Sequence, residues 1–108
     1  MGVSKTDQFN EVQNRLASIA KALAHPARIA IVEYLLKTDT CICGDIVNEL
    51  PLAQPTVSQH LKELKNAGLI QGSIEGNSIC YCIHPETFRL LQHFTNEVID
   101  GSSPKKCC

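Results

Sequence analysis

Apolar residues along this chain fall at intervals of three and four, except in one stretch where they alternate. Phe9, Val12, Leu16, Ile19, Ala20 and Leu23 form one stripe and predict a helix over residues 7–24, with Asp7 placed to cap its start. Pro26 stands where a first-turn proline belongs, and Ile29, Val32, Leu35 and Leu36 mark a second helix ending near Lys37-Thr38-Asp39. A third, short helix is expected over 43–50, with Ile46, Val47 and Leu50 inward and Pro51 as its stop. Leu52 and Ala53 then make a tight connection. Pro55 opens a fourth helix whose inner side carries Val57, Leu61 and Leu64 and which ends at Gly68. Thr56 and Gln59 have capping-box spacing, so its start is open by one residue.

From Ile70 the period is two. A strand to Ile74, the turn residues Glu75-Gly76-Asn77 and a second strand bearing Ile79, Tyr81 and Ile83 predict a β-hairpin. Pro85 ends it, and a fifth helix carries Phe88, Leu91, Phe94 and Val98 until Gly101-Ser102-Ser103-Pro104 breaks the pattern. The predicted fold is mainly α with a β-hairpin wing. Two short helices joined by a tight turn and followed by a hairpin describe a winged helix-turn-helix. Residues 1–100 are expected to form one domain, and residues 101–108 a flexible tail ending in Cys107 and Cys108.

Composition narrows the picture. Of 108 residues 44% are hydrophobic but only 5% aromatic, so the core must rest on Ile, Leu and Val. A core this small is marginal, and a dimer interface would help it. No run approaches the roughly 18 apolar residues of a membrane span, and residues 1–10 carry no apolar signal-peptide segment. A cytoplasmic protein without membrane contact is expected. The net charge of -1 means that any DNA affinity must come from basic side chains gathered on one face, and must weaken quickly with salt. No nucleophile–base arrangement, Gly-rich phosphate loop or pair of pocket acids is evident, so an enzyme is not expected.

The fourth helix is the candidate reading element. With Val57, Leu61 and Leu64 inward, its outer face shows Gln54, Thr56, Ser58, Gln59, His60 and Lys62, with Lys65 one turn on. Gln bonds adenine bidentately, and hydroxyls and Lys hold phosphates or read bases. Asn77 at the hairpin tip is a further candidate DNA contact. An ordinary solvated helix face has the same composition; the helix-turn-helix spacing and the hairpin that follows favour DNA.

The string Gln54-Pro55-Thr56-Val57-Ser58-Gln59-His60-Leu61-Lys62-Glu63-Leu64-Lys65-Asn66-Ala67-Gly68-Leu69-Ile70 closely resembles the recognition helix of the ArsR/SmtB family of metal-responsive repressors. Leu23-Ala24-His25-Pro26-Ala27-Arg28-Ile29 and Tyr81-Cys82-Ile83-His84-Pro85-Glu86 fit its pattern too. The resemblance implies a homodimer joined through the first and last helices, operator DNA as partner, and release from DNA when a toxic metal or metalloid binds.

Six cysteines fall in three close pairs, Cys41/Cys43, Cys80/Cys82 and Cys107/Cys108. In a cytoplasmic chain such clusters point to metal binding or redox chemistry. Arsenite-responsive family members carry a Cys-x-Cys at the start of the third helix, and Cys41 and Cys43 match it. Thiolates select soft ions, and a helix start favours the thiolate form. The inducer implied is As(III) or another soft ion, and no cofactor is expected to be required for folding. As(III) takes three thiolates in the chemistry this family implies, so a third must come from Cys107, Cys108 or an external thiol. Cys80 and Cys82 share the strand face opposite Ile79, Tyr81 and Ile83 and read as surface cysteines more readily than as ligands. His84, His93 and Glu97 are the only candidates for the family's zinc site on the last helix, and their spacing departs from its pattern. A redox- or zinc-responsive repressor of the same fold is the alternative function. A thiol-rich metal-binding protein without a DNA role is the reading from another class.

Overall fold

The computed structural model describes residues 8–37, 42–43, 53–75 and 78–102, with the backbone alone at 42–43, 54, 73–75 and 78–79. Helix α1 spans Glu11–Leu23. Its start is fixed by a reciprocal capping box: Asn10 Oδ1 accepts from the Gln13 N–H at 2.7 Å, and Gln13 Oε1 accepts from the Asn10 N–H at 3.1 Å. Asp7, the cap expected from the sequence, lies outside the described residues. Helix α2 spans Pro26–Leu36, with proline in its first turn and His25 Nδ1 accepting the Ala27 N–H at 3.1 Å. Ile31, Val32 and Leu35 are buried there, whereas Ile29 and Leu36, which also mark the helix in the sequence, are exposed. This helix is apolar nearly all round, so its spacing alone did not single out a face.

The short helix expected over 43–50 lies outside the described residues except for Cys43. That residue sits in a strand, β1 (Ile42–Cys43), and not at a helix start. Helix α3, Gln54–Asn66, buries Val57, Leu61 and Leu64 as its spacing predicts. It begins one residue before Pro55, with Ala53 as N-cap.

Its end is a two-bond closure. The Gly68 N–H donates to the Lys65 carbonyl at 2.9 Å and the Leu69 N–H to the Leu64 carbonyl at 3.0 Å. This turn requires Gly68 at φ +81, where a side chain would be strained. A Cβ there would also lie 2.7 Å from Arg15 Nη2. Leu64 and Leu69 are fully buried at the two ends of the closure, and Arg15 Nη1 donates to the free Ala67 carbonyl at 2.8 Å. Helix α1 thus holds the C-terminal end of α3.

The hairpin consists of β2 (Ile70–Glu75) and β3 (Ser78–Ile83), antiparallel from Ile70 opposite Ile83 to Glu75 opposite Ser78. The His84 N–H closes its base on the Leu69 carbonyl at 3.0 Å. Strand β1 adds to the other edge of β3, giving the order β1-β3-β2, with Ile42 opposite Tyr81 and Cys43 opposite Cys80. Two residues are too few to show a period, so this third strand was not foreseen. Helix α4 spans Pro85–Gly101. It reaches one residue past the expected domain limit, and residues 103–108 of the expected tail lie outside the described residues.

One core joins these elements. Ile19 of α1, Ile31 of α2, Val57 and Leu64 of α3, and Leu69 and Ile70 at the entry to β2 are almost wholly removed from solvent. Tyr81, Ile83, Phe88 and Leu91 pack around them. Each such aliphatic side chain contributes about 1.5–3 kcal/mol on burial. The same stripes on α1 and α4 are not consumed by this core. Phe9, Val12, Leu90, Phe94, Val98 and Ile99 stay exposed, and Val12, Leu16, Leu90 and Phe94 line a groove of about 620 Å³ between the two helices.

Candidate nucleic-acid interface

Helix α3 rests on the core through Val57, Leu61 and Leu64 and turns Thr56, Ser58, Gln59, Lys62 and Lys65 to solvent. This stripe mixes hydroxyls, an amide and two cations. Glu63, the one acid on the helix, is half-buried, and its Oε2 accepts from Gln59 Nε2 at 2.9 Å. That bond orients the Gln59 amide along the helix surface and offsets the acid's charge. Among the described residues no side chain caps the start of α3, whose N-cap is Ala53. The Gln54 side chain and Asn77, both candidate DNA contacts, lie outside what the structure describes.

His60 corrects the sequence reading. Counted among the outward residues, it is instead buried, with 8% of its surface exposed. Arg28 Nε donates to His60 Nδ1 at 3.1 Å, and the His25 ring lies 4.4 Å away, centroid to centroid. A second Arg28 nitrogen, Nη1, donates to the Ala22 carbonyl at 3.1 Å near the end of α1. Arg28 and Arg15 therefore brace the reading helix from α2 and α1, and neither role was read from the sequence. Position 60 stands three after Val57 and four before Leu64, so helical spacing already put it inward; its polarity drew it to the outer face.

Because Nδ1 accepts from Arg28, the His60 ring is neutral with its proton on Nε2. Burial, reinforced by His25 and Arg28, holds its pKa below the ordinary 6.5. As pH falls, the unfolded chain takes up this proton before the folded one does. The contribution to stability is then complete above about pH 6.5 and declines below it. The urea midpoint should therefore drop between neutral pH and about pH 5.5. His60→Asn keeps an acceptor for Arg28 without the titration and should flatten that dependence. An equally steep profile in the variant would assign the effect elsewhere.

The cysteines are placed unevenly. Cys41, Cys107 and Cys108 lie outside the described residues, and only the backbone of Cys43 is described. Cys80 is not the surface residue expected: it is 3% exposed, and Cys82 is half-buried. Both are disulfide-bonded. The zinc candidates do not converge. His84 Nδ1 pairs with Thr87 Oγ1 at 3.0 Å, while exposed His93 and Glu97 approach each other at 3.5 Å. Among the described residues no three His, Cys, Asp or Glu side chains gather to hold a metal, and no helix is long and apolar enough to cross a membrane.

Residues 25–71, from the cap of α2 to the start of β2, match the family model described as bacterial regulatory protein, arsR family. The chain is 41% identical over 89 residues to the HTH-type transcriptional repressor SmtB of Mycobacterium tuberculosis, an alignment covering 82% of this chain and 60% of that protein. It therefore spans less than two thirds of that relative's length. It is 38% identical to an HTH-type transcriptional regulator of Methanocaldococcus jannaschii, covering 82% of this chain and 99% of the relative. It is 32% identical to the arsenical resistance operon repressor of Staphylococcus xylosus, covering 66% and 67% of the two chains. The fold is similar to that of a crystallised ArsR family transcriptional regulator, with a TM-score of 0.75 at 20% identity over 91% of this chain and all of the other. With a winged helix-turn-helix and these relatives, the chain belongs to the ArsR/SmtB family of DNA-binding transcriptional regulators.

Proposed function

We propose that the chain is a cytoplasmic homodimeric repressor that leaves its operator when cysteine thiolates bind a soft metal or metalloid ion, As(III) foremost. The observation that carries the DNA role is the solvent-facing stripe Thr56, Ser58, Gln59, Lys62 and Lys65 on a helix braced from two sides. A helix held this way lies in the major groove with its N-terminal half at the base edges, and Lys65 faces a phosphate. The unburied apolar faces of α1 and α4 supply the dimer surface. Cys41 and Cys43 supply thiolates for the inducer, which suits soft-ion chemistry and agrees with the likeness to an arsenical resistance operon repressor.

Fluorescence anisotropy of a labelled duplex from the gene's own upstream region tests this reading with reduced protein, before and after arsenite. Salt-sensitive binding that arsenite reverses, and that Cys43→Ser leaves in place despite arsenite, is the expected result. Specific binding indifferent to arsenite would keep the DNA role and discard the inducer. Absence of specific binding would discard the repressor reading itself.

A further inference from the structure

We infer that Cys80 and Cys82 of β3 complete the inducer site, giving with Cys43 a three-thiolate pocket for As(III) across β1 and β3. This rests on the repressor reading and identifies the thiols that it leaves open. Directly opposed residues of an antiparallel pair point to the same face of the sheet and stand about 4.5–5.5 Å apart at Cα. Cys43 is opposed to Cys80 in this way. Cys82 is two residues along the same strand, so it shares that face about 6.6–6.8 Å further on. Three cysteines thus occupy neighbouring positions on one side of a two-strand ladder.

The buried state of Cys80 is the second observation. Its strand neighbours Tyr81 and Ile83 pack on the hydrophobic core, so Cys80 points to the opposite side, yet it is 3% exposed. A thiol covered on the side away from the core is an enclosed donor.

The disulfides are the third. Cys80 and Cys82 are both disulfide-bonded. They cannot be bonded to each other, because side chains two apart on a strand run parallel, while a disulfide brings its Cβ atoms to about 3.5–4.5 Å. Both sulfurs are therefore open to thiol chemistry, and thiols that share one strand face can share one soft ion once reduced.

The binding step moves no electrons. Arsenous acid exchanges its three hydroxyl groups for three cysteine sulfurs, and each leaving hydroxyl takes a thiol proton away as water. The product ties the segment entering the helix-turn-helix, at Cys43, to the wing strand that follows it.

The test uses the full chain reduced with a phosphine and loaded with arsenite, its arsenic coordination read by X-ray absorption. Three sulfur neighbours are expected in the wild type and in the Cys107→Ser/Cys108→Ser variant. Cys80→Ser and Cys82→Ser are each expected to lose one sulfur or to bind arsenite at least about tenfold more weakly, the scale of one lost ligand-shell interaction. A second measurement needs no variant: mild oxidation of the metal-free wild type with diamide should give a peptide pair joined through Cys43 and Cys80. Full sulfur coordination in Cys80→Ser and Cys82→Ser, with its loss in the tail variant, would overturn the inference while leaving an arsenite-released repressor intact. Failure of the wild type to bind arsenite would overturn both. Linkage of Cys43 only to other cysteines would overturn the assigned pairing.

Discussion

A chain carrying Leu90→Asp and Phe94→Asp is expected to sediment as a monomer and to bind a full operator about 100-fold or more weakly, while folding normally. Both side chains lie on α4 with 46% and 44% of their surface exposed, so the isolated subunit loses little by the change. Both line the groove with Val12 and Leu16 of α1, and Val12 is itself 64% exposed. A contiguous apolar surface over two terminal helices, with Phe9, Val98 and Ile99 beside it, is more than a monomer of this size would normally leave in water. Four carboxylates at the centre of a two-fold interface would be desolvated against one another, which no dimer of this size tolerates. The DNA consequence follows from linkage. Two reading helices on one rigid dimer give the second half-site contact an effective concentration worth about 10²–10⁴ in affinity. Sedimentation equilibrium and anisotropy on full-site and half-site duplexes separate the two effects. Half-site binding should survive. A variant that remains dimeric would place the subunit contact elsewhere.

Leu64→Ala is expected to cost about 3 kcal/mol, within the range of about 2–5 measured for buried Leu→Ala changes. Leu64 has no exposed surface and lies between the core and the closure that ends α3. The vacated volume cannot be refilled cheaply, because Leu69 and the turn at Gly68 are fixed by the two closing hydrogen bonds. For a domain of this size the loss lowers the melting temperature by about 12–24 °C. Melts must be compared at one protein concentration, because the proposed dimerisation would add stability by mass action. Lys65→Ala, one residue away and exposed, is the control and should change stability by less than about 0.5 kcal/mol. A small effect of Leu64→Ala would mean that the end of α3 is loosely held.

The reading helix and the wing were legible because their signals are local. Val57, Leu61 and Leu64 keep the helical period, Gly68 marks the stop, and Ile79, Tyr81 and Ile83 alternate. Membership in the family was legible from the residue string of that same helix. What the sequence concealed depends on neighbours distant in the chain. The burial of Cys80 comes from whatever covers the far face of β3, and a period of two says only that the faces differ. The bond from Arg28 to His60 links positions 32 apart, and nothing in either local pattern announces it. Which residues of α1 and α4 turn outward was not legible from spacing alone, because an apolar stripe left exposed has the same period as one that meets the core.

The asymmetry of helix α3 has a mechanical consequence. Its last turn is locked by Gly68 and by the Arg15 guanidinium on the Ala67 carbonyl, while its first turn has no side-chain cap. Any tilt that strains the contacts of Val57 and His60 would therefore pivot nearer the C-terminal end than the start. Thirteen residues make an arm of about 20 Å at 1.5 Å per residue. A tilt of roughly 10° about the C-terminal end carries the far end through about 3 Å, more than the tolerance of a hydrogen bond to a base edge. On the proposed reading, such a tilt would lift the residues of the first turns from the base edges, while Lys65, close to the pivot, would stay within reach of its phosphate.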